Sequence, residues 1–144
     1  MTPEVGPLAP GEEEALLDLL ARCRLPEAGV RRHLANALVA RADGRIVGSA
    51  VLELYPEGAL LRSVAVDAGS RGRGLGARLT GEALDLARRR GARRVFLLTE
   101  TAARFFPRFG FREIARPAVP ESVRASEEFA SACPASALAM ERAL

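Results

Sequence analysis

The run Val64-Ala-Val-Asp-Ala-Gly-Ser-Arg-Gly-Arg-Gly-Leu-Gly-Ala-Arg-Leu79 limits this chain more than any other stretch. It reads as a buried strand, a glycine-rich turn and the start of a helix. Leu60, Leu61, Val64 and Val66 are apolar and partly β-branched, which suits a strand inside a sheet. Asp67 and Gly69 end it, and after the turn a helical pattern runs to Arg90. In a helix interior Gly72, Gly74 and Gly76 would each cost about 1 kcal/mol relative to alanine. At a helix entrance they let the backbone approach a ligand, and the first N–H groups of a helix have no intrahelical partner. Arg71 and Arg73 add full positive charge. The turn from Arg71 to Ala77 therefore reads as a diphosphate cradle. The plain alternative is a glycine-rich turn with solvated arginines.

Two rival phosphate motifs fail. There is no Gly-x4-Gly-Lys-Ser/Thr, so this is no P-loop. Gly72, Gly74 and Ala77 fit only the looser dinucleotide fingerprint, which belongs near the start of a βαβ unit with an acid about 20 residues on. Here the turn lies in mid-chain, and Arg88 to Arg94 is basic.

At 144 residues the expectation is one domain, 1–144, with a single core. A hydrophobic fraction of 49% with 27% charged residues is globular rather than disordered. No apolar run approaches a membrane span. Glu4 and Glu12 to Glu14 stand where a signal peptide would be basic, so a cytoplasmic protein is expected. Cys23 and Cys133 are isolated, with no metal spacing and no expected disulfide. Net charge is +3 with every basic residue an arginine, which fits a small anionic ligand. One Tyr, no Trp, and no helix-turn-helix or zinc pattern argue against nucleic acid.

In chain order, residues 1–11 read as extended and Glu12 to Arg22 as a helix with apolar residues at helical spacing. Pro26 opens a second short helix through Val30 and Leu34, which carries His33. Ala37 to Ala42 and Arg45 to Tyr55 read as strands joined at Asp43-Gly44, where glycine accepts positive φ. A turn at Pro56-Glu57-Gly58 leads into the strand Ala59 to Val66. The helix after the cradle buries Leu75, Leu79, Ala83 and Leu86, with Arg78/Glu82 and Asp85/Arg89 as i,i+4 pairs and Gly91 closing it. Arg94 to Leu98 is a buried strand, Thr99 or Thr101 caps a helix over Ala102 to Phe109, and Phe111 to Ala115 is a strand. Glu121 to Ala132 reads as a helix and Ser136 to Arg142 as the last strand. The fold class is α/β, a mixed, mainly antiparallel sheet with helices on both faces.

Arg71-x-x-Gly74-x-Gly76 after a Val-x-Val strand resembles motif A of the GCN5-related N-acetyltransferases. Downstream, Ala102-Ala-Arg-Phe-Phe-Pro-Arg-Phe-Gly-Phe111 resembles the motif B of that family. The resemblance implies a sheet splayed at its central strands. It implies acetyl-CoA as co-substrate, with its diphosphate on the amides of the turn and its pantetheine beside Val64 to Val66. Thr99, Phe105 and Phe106 are implied cofactor contacts, and the backbone amide near Val66 polarises the acetyl carbonyl. The family often has a Tyr where Phe106 stands. Phenylalanine cannot give a proton, so that acid role is not carried over. A thiol with pKa about 8.5 can leave as thiolate without one.

The attacking amine must be neutral, which calls for a base. Glu53, Glu57 and Glu100 are candidates, with Glu53 ranked first; the default for each is a solvated carboxylate. Ser63 can orient the amine. Family members often cover the acceptor with the loop between the first two helices, which makes Arg24, Arg31, Arg32 and Asn36 candidates for a substrate carboxylate. An exposed basic face is the alternative. The Leu98 to Phe111 segment and the Pro-rich stretch after it resemble small arsenic-resistance acetyltransferases (the ArsN type) and, more loosely, the acetyltransferase domain of N-acetylglutamate synthase. The implied acceptor is a small amino acid or analogue with an extra acidic group, with no metal, membrane or nucleic acid and with a homodimer open. A protein N-terminal or lysine acetyltransferase and a silent acetyl-CoA-binding module are the other readings.

Overall fold

Apolar residues that alternate along the strands, and recur at helical spacing in two helices, assemble one seven-stranded sheet in the order β1-β2-β3-β4-β5-β7-β6. The computed structural model describes residues 2–132 and 136–144, apart from the side chains at 131 and 132. Cys133 and Pro134 lie outside the described residues. The strands are β1 (Glu4–Pro7), β2 (Ala37–Ala42), β3 (Arg45–Tyr55), β4 (Gly58–Val66), β5 (Arg94–Thr99), β6 (Arg112–Ile114) and β7 (Leu138–Ala143). The two long helices are α1 (Glu13–Arg22) and α2 (Leu75–Arg89). Neighbours are antiparallel except β4 and β5, which run parallel.

Each face of the sheet takes one helix, because side chains alternate across a strand. Leu38, Ala40, Leu52 and Leu61 join Leu79 and Ala83 of α2. Val39, Val51 and Ala65 join Leu16 and Leu20 of α1. Along β4 this alternation changes phase. Ala59 and Leu61 face α2, and beyond them it is Val64 and Val66 that pack on that side. The cause is a bulge: Ser49 pairs with Ala65 but Val51 pairs with Arg62, so β4 carries one extra residue. Ser63 sits in it with φ +57°. Its carbonyl accepts a hydrogen bond from the buried hydroxyl of Ser49 at 2.7 Å.

β4 leaves its parallel partner just before this bulge. The two strands pair only through Ala59 with Val95 and Leu60 with Phe96. Beyond that point they diverge as a wedge, the splay expected for this fold.

Four local expectations change. Residues 102–109 are not one helix. A 3-10 helix covers only Phe106–Phe109, with Pro107 in its first turn and Gly110 left-handed at its end. The segment after Pro26 becomes helical only at Val30, as a 3-10 run to Asn36 that is kinked at His33. Glu121 to Ala132 splits into a turn of α-helix, Glu121–Arg124, and a π-helical turn, Glu128–Ala132. Ser126 starts the second piece by accepting the Phe129 amide on its hydroxyl at 3.3 Å. On α2, Asp85 pairs with Arg88 at 3.0 Å rather than with Arg89, and Arg78 donates to the Pro3 carbonyl at 2.8 Å.

Candidate active site

The wedge between β4 and β5 encloses a cavity of about 850 Å³, within the range of small-molecule sites. Val64 and Val66 form one wall, Leu97 and Leu98 the other, and Phe105 and Phe106 close the side beneath the 3-10 turn. Phe106 is held edge-on by Phe105 and Phe111, with ring centroids 5.1 and 5.7 Å away. Thr99 shapes the entry to this turn, its hydroxyl accepting the Ala102 amide at 3.0 Å. This bond lies in the turn before the 3-10 helix; that helix begins after Phe105 with no side-chain cap, so neither Thr99 nor Thr101 caps it.

The mouth of the wedge is the glycine-rich turn. Gly72 and Gly74 have φ +80° and +77°, and Gly74 is the left-handed residue from which α2 starts. No side chain caps that end. The first intrahelical bond is Arg78 to Gly74 at 3.1 Å, so the amides of Leu75, Gly76 and Ala77 have no partner within the helix. Arg71 is exposed beside them, its Nε donating to the Val66 carbonyl at 3.0 Å. The same carbonyl takes a longer contact from the Cys23 thiol at 3.6 Å, a packing role for that cysteine. The Asp67 amide donates across to Val47 at 2.8 Å. Successive amides in an extended strand point opposite ways, so the Val66 amide is directed to the open side of β4.

Of the residues read from the sequence as cofactor contacts, Val64, Val66, Arg71, Gly76, Thr99, Phe105 and Phe106 line the cavity, as does Ser63. Ala65 faces α1, and Leu75, the first residue of α2, is buried against the sheet. Arg73 and Leu75 also line a separate depression of about 440 Å³ on the other side of the turn. Gly72, Gly74 and Ala77 do not line the cavity.

The residues proposed for the acceptor scatter. Arg31 pairs with Glu13 and Glu14, Arg32 with Glu127 at 2.8 Å, and the Asn36 side-chain oxygen accepts from Arg90 at 3.1 Å. None of these three lines the cavity. Arg24 does, at the loop after α1, where its backbone has φ +57°. Glu57 accepts the Ser122 amide at 3.4 Å, away from the wedge, and Glu100 lines the cavity from the exposed turn after β5.

Glu53 is not at the cavity surface. It is buried, its Oε2 accepting from Arg62 Nη1 at 2.9 Å and its Oε1 from the Tyr55 hydroxyl. His33 Nε2 stands 3.4 Å from Oε1. Burial and the bond to Glu53 push the Tyr55 phenol up. Arg62 has no exposed side-chain surface. It also donates to the carbonyls of Pro26 at 2.9 Å and Ala28 at 2.6 Å, pinning the loop that carries Arg24. Its Nε reaches Ser63 Oγ at 3.3 Å and lies 3.5 Å from Glu128 Oε1.

Arg62 and Glu128 are buried charged residues lining the cavity that sequence reasoning missed. A lone arginine inside Leu60-Leu-Arg-Ser-Val64, facing a lone glutamate in Leu52-Glu-Leu54 across a hairpin, was the available signal for the first. Glu128 offered none. Glu128 lines the cavity and is almost wholly buried. Burial pushes its carboxyl up to about 7; Arg62 opposes that rise and Glu53 adds to it.

A family model described as "Acetyltransferase (GNAT) family" matches residues 7–111. No curated protein matches the chain. Among solved structures, N-acetylglutamate synthase from Neisseria gonorrhoeae, complexed with coenzyme A and N-acetyl-glutamate, superposes with TM-score 0.84 at 20% identity. All of this chain is covered, but only 35% of the synthase chain, so this chain spans about a third of that relative's length. Rv2747 from Mycobacterium tuberculosis, in complex with CoA and NLQ, gives 0.83 at 24% identity with 99% of both chains covered. A GNAT-family acetyltransferase from Staphylococcus aureus gives 0.79 at 19% identity, again covering 99% of both. At these identities the likenesses establish the fold.

Proposed function

Because the chain belongs to the acetyltransferase (GNAT) family, we propose that it transfers acetyl from acetyl-CoA to the amine of a small amino acid or amino-acid analogue. The observation that carries this is the wedge itself. β4 leaves β5 after Leu60, just before the Ser63 bulge. The opening is lined by the polar groups of Arg62, Ser63 and Glu128 and by Arg71 and Gly76 at the start of α2, whose first amides are unpaired within the helix. Those amides and Arg71 suit a diphosphate. The free edge of β4 offers a pantetheine arm strand-like hydrogen bonds, and the Val66 amide can polarise a thioester carbonyl. Phe106 seals the wall and supplies no proton, so CoA departs as thiolate.

Two features support a zwitterionic acceptor. Arg24 reaches the cavity with no carboxylate partner among the described residues. The Neisseria synthase, which shares the fold, holds N-acetyl-glutamate. The narrower likeness to arsenic-resistance acetyltransferases supports an acidic analogue within the same class.

The test is thiol release from acetyl-CoA against amino acids, acidic analogues, polyamines and peptides. We expect turnover with an acidic amino acid or analogue to exceed that with polyamines and peptides. Tight acetyl-CoA binding without turnover on any amine would instead make this a silent binding module, a reading that Phe106 favours.

A further inference from the structure

We propose that Glu128 is the group that binds the ammonium of the acceptor and takes its proton. The inference rests on the reading of the wedge as the acyl-transfer site. Glu128 lines the cavity, and Arg62 Nε links it to Ser63 of the bulge. Its Oε1 lies 3.5 Å from Arg62 Nε. Its Oε2 is buried, and no described residue gives it a hydrogen bond. An unpaired buried carboxylate oxygen is costly. A ligand that brings N–H donors removes that cost, and an ammonium brings three together with the opposite charge.

The neighbourhood explains why Glu128, and not Glu53, takes this role. On β4, Arg62 divides its guanidinium between both carboxylates, and Ser63 adds a hydroxyl. On β3, Glu53 is already saturated by Arg62 and Tyr55, with His33 facing it from the 3-10 run. Glu127 pairs with Arg32 on the outside. From the other walls, Thr99 and Glu100 follow β5 and Arg24 follows α1. Glu128 is thus the one buried carboxyl on the cavity with an oxygen to spare among the described residues. Burial raises its affinity for a proton toward neutrality, which fits a group that must accept one and release it.

The bound ammonium gives one proton to Glu128. The freed lone pair forms the C–N bond to the acetyl carbonyl carbon, and the C–S bond breaks as the tetrahedral intermediate collapses. The second nitrogen proton joins the departing thiolate, and Glu128 returns its proton to water.

Two readouts test this. In protein labelled with ¹³C at glutamate carboxyls, the Glu128 signal is identified by its loss in Glu128→Gln and titrated with methylammonium chloride against sodium chloride at equal ionic strength. We expect methylammonium to lower the Glu128 midpoint saturably. In the transfer assay, we expect wild-type kcat/KM to rise with pH through the Glu128 midpoint. Glu128→Gln should lose about 100-fold or more along with that limb, while acetyl-CoA affinity is kept. Glu128→Asp, which keeps the carboxyl, should restore the limb in part and guards against misfolding of the Gln variant. A Glu128 signal indifferent to methylammonium, or an unchanged pH profile in Glu128→Gln, overturns the proposal. If no amino acid is acetylated but methylammonium still moves the signal, the amine site stands and the amino-acid reading falls.

Discussion

Arg62→Met is expected to lower the unfolding free energy by about 3–5 kcal/mol at neutral pH, the usual cost of removing one partner from a buried ion pair. Arg62 has no exposed side-chain surface, and it is the countercharge for two buried carboxyls, Glu53 and Glu128. Methionine fills much of the same volume, so the loss isolates charge and hydrogen bonding from packing. Two backbone carbonyls, at Pro26 and Ala28, lose their donor as well. Urea unfolding measures the effect. Adding Glu53→Gln to Arg62→Met should recover part of the loss, because the stranded charge is gone. A loss under about 1 kcal/mol would mean that the pair behaves like a solvated surface bridge.

Glu128→Gln should act in the opposite direction, and only in part of the pH range. Burial raises the carboxyl from an ordinary 4.5 to about 7. Between those values the folded protein keeps a proton that the unfolded chain has released. Stability from this group is therefore complete below pH 4.5, falls as pH rises through the window, and is fully lost above about 7. The shift corresponds to about 3 kcal/mol at most. Glutamine cannot ionise, so the variant escapes the loss. Thermal unfolding across pH 4 to 8 should show the two proteins converging at the acid end and Glu128→Gln more stable at the alkaline end. Parallel curves would place Glu128 in water. A site that stabilises the fold when its residue is removed is one where stability has been given up for chemistry.

The parts of the fold legible in the sequence are those fixed by neighbours along the chain. Asp43 and Gly44 adopt φ +52° and +73°, the tight turn that Asp-Gly requires. The glycines around Arg73, followed by the apolar spacing from Leu75 to Leu86, announce a bare helix start and its buried face. The bulge at Ser63 is not legible, because it depends on Ser49 from the facing strand satisfying a displaced carbonyl. A charge within a strand, such as Glu53, usually marks the solvent face; Arg62 on the neighbouring strand reverses that. Arg31, Arg32 and Asn36 are engaged by Glu13, Glu14, Glu127 and Arg90, partners distant in sequence. Glu128 meets Arg62 of β4, a partner far upstream, so nothing in Ser126-Glu-Glu-Phe129 distinguishes it from its neighbour Glu127.

Gly76 probes the assignment of the wedge to acetyl-CoA most cleanly. A side chain at Gly74 would be strained by its φ of +77° even though nothing lies within 4 Å of where its Cβ would stand, so the fold would suffer along with the site. Gly76 has ordinary helical backbone. A Cβ there meets Phe105 at 3.6 Å and Val66 at 3.7 Å, ordinary contact at the cavity wall. Leucine at this position favours the helix by about 1 kcal/mol while filling the mouth of the wedge. Calorimetric titration of acetyl-CoA into wild type and Gly76→Leu, with melting followed in parallel, is the direct measurement. The account predicts binding by wild type and a loss of about 100-fold or more in the variant, with no drop in melting temperature. Equal affinity in the two proteins would contradict it.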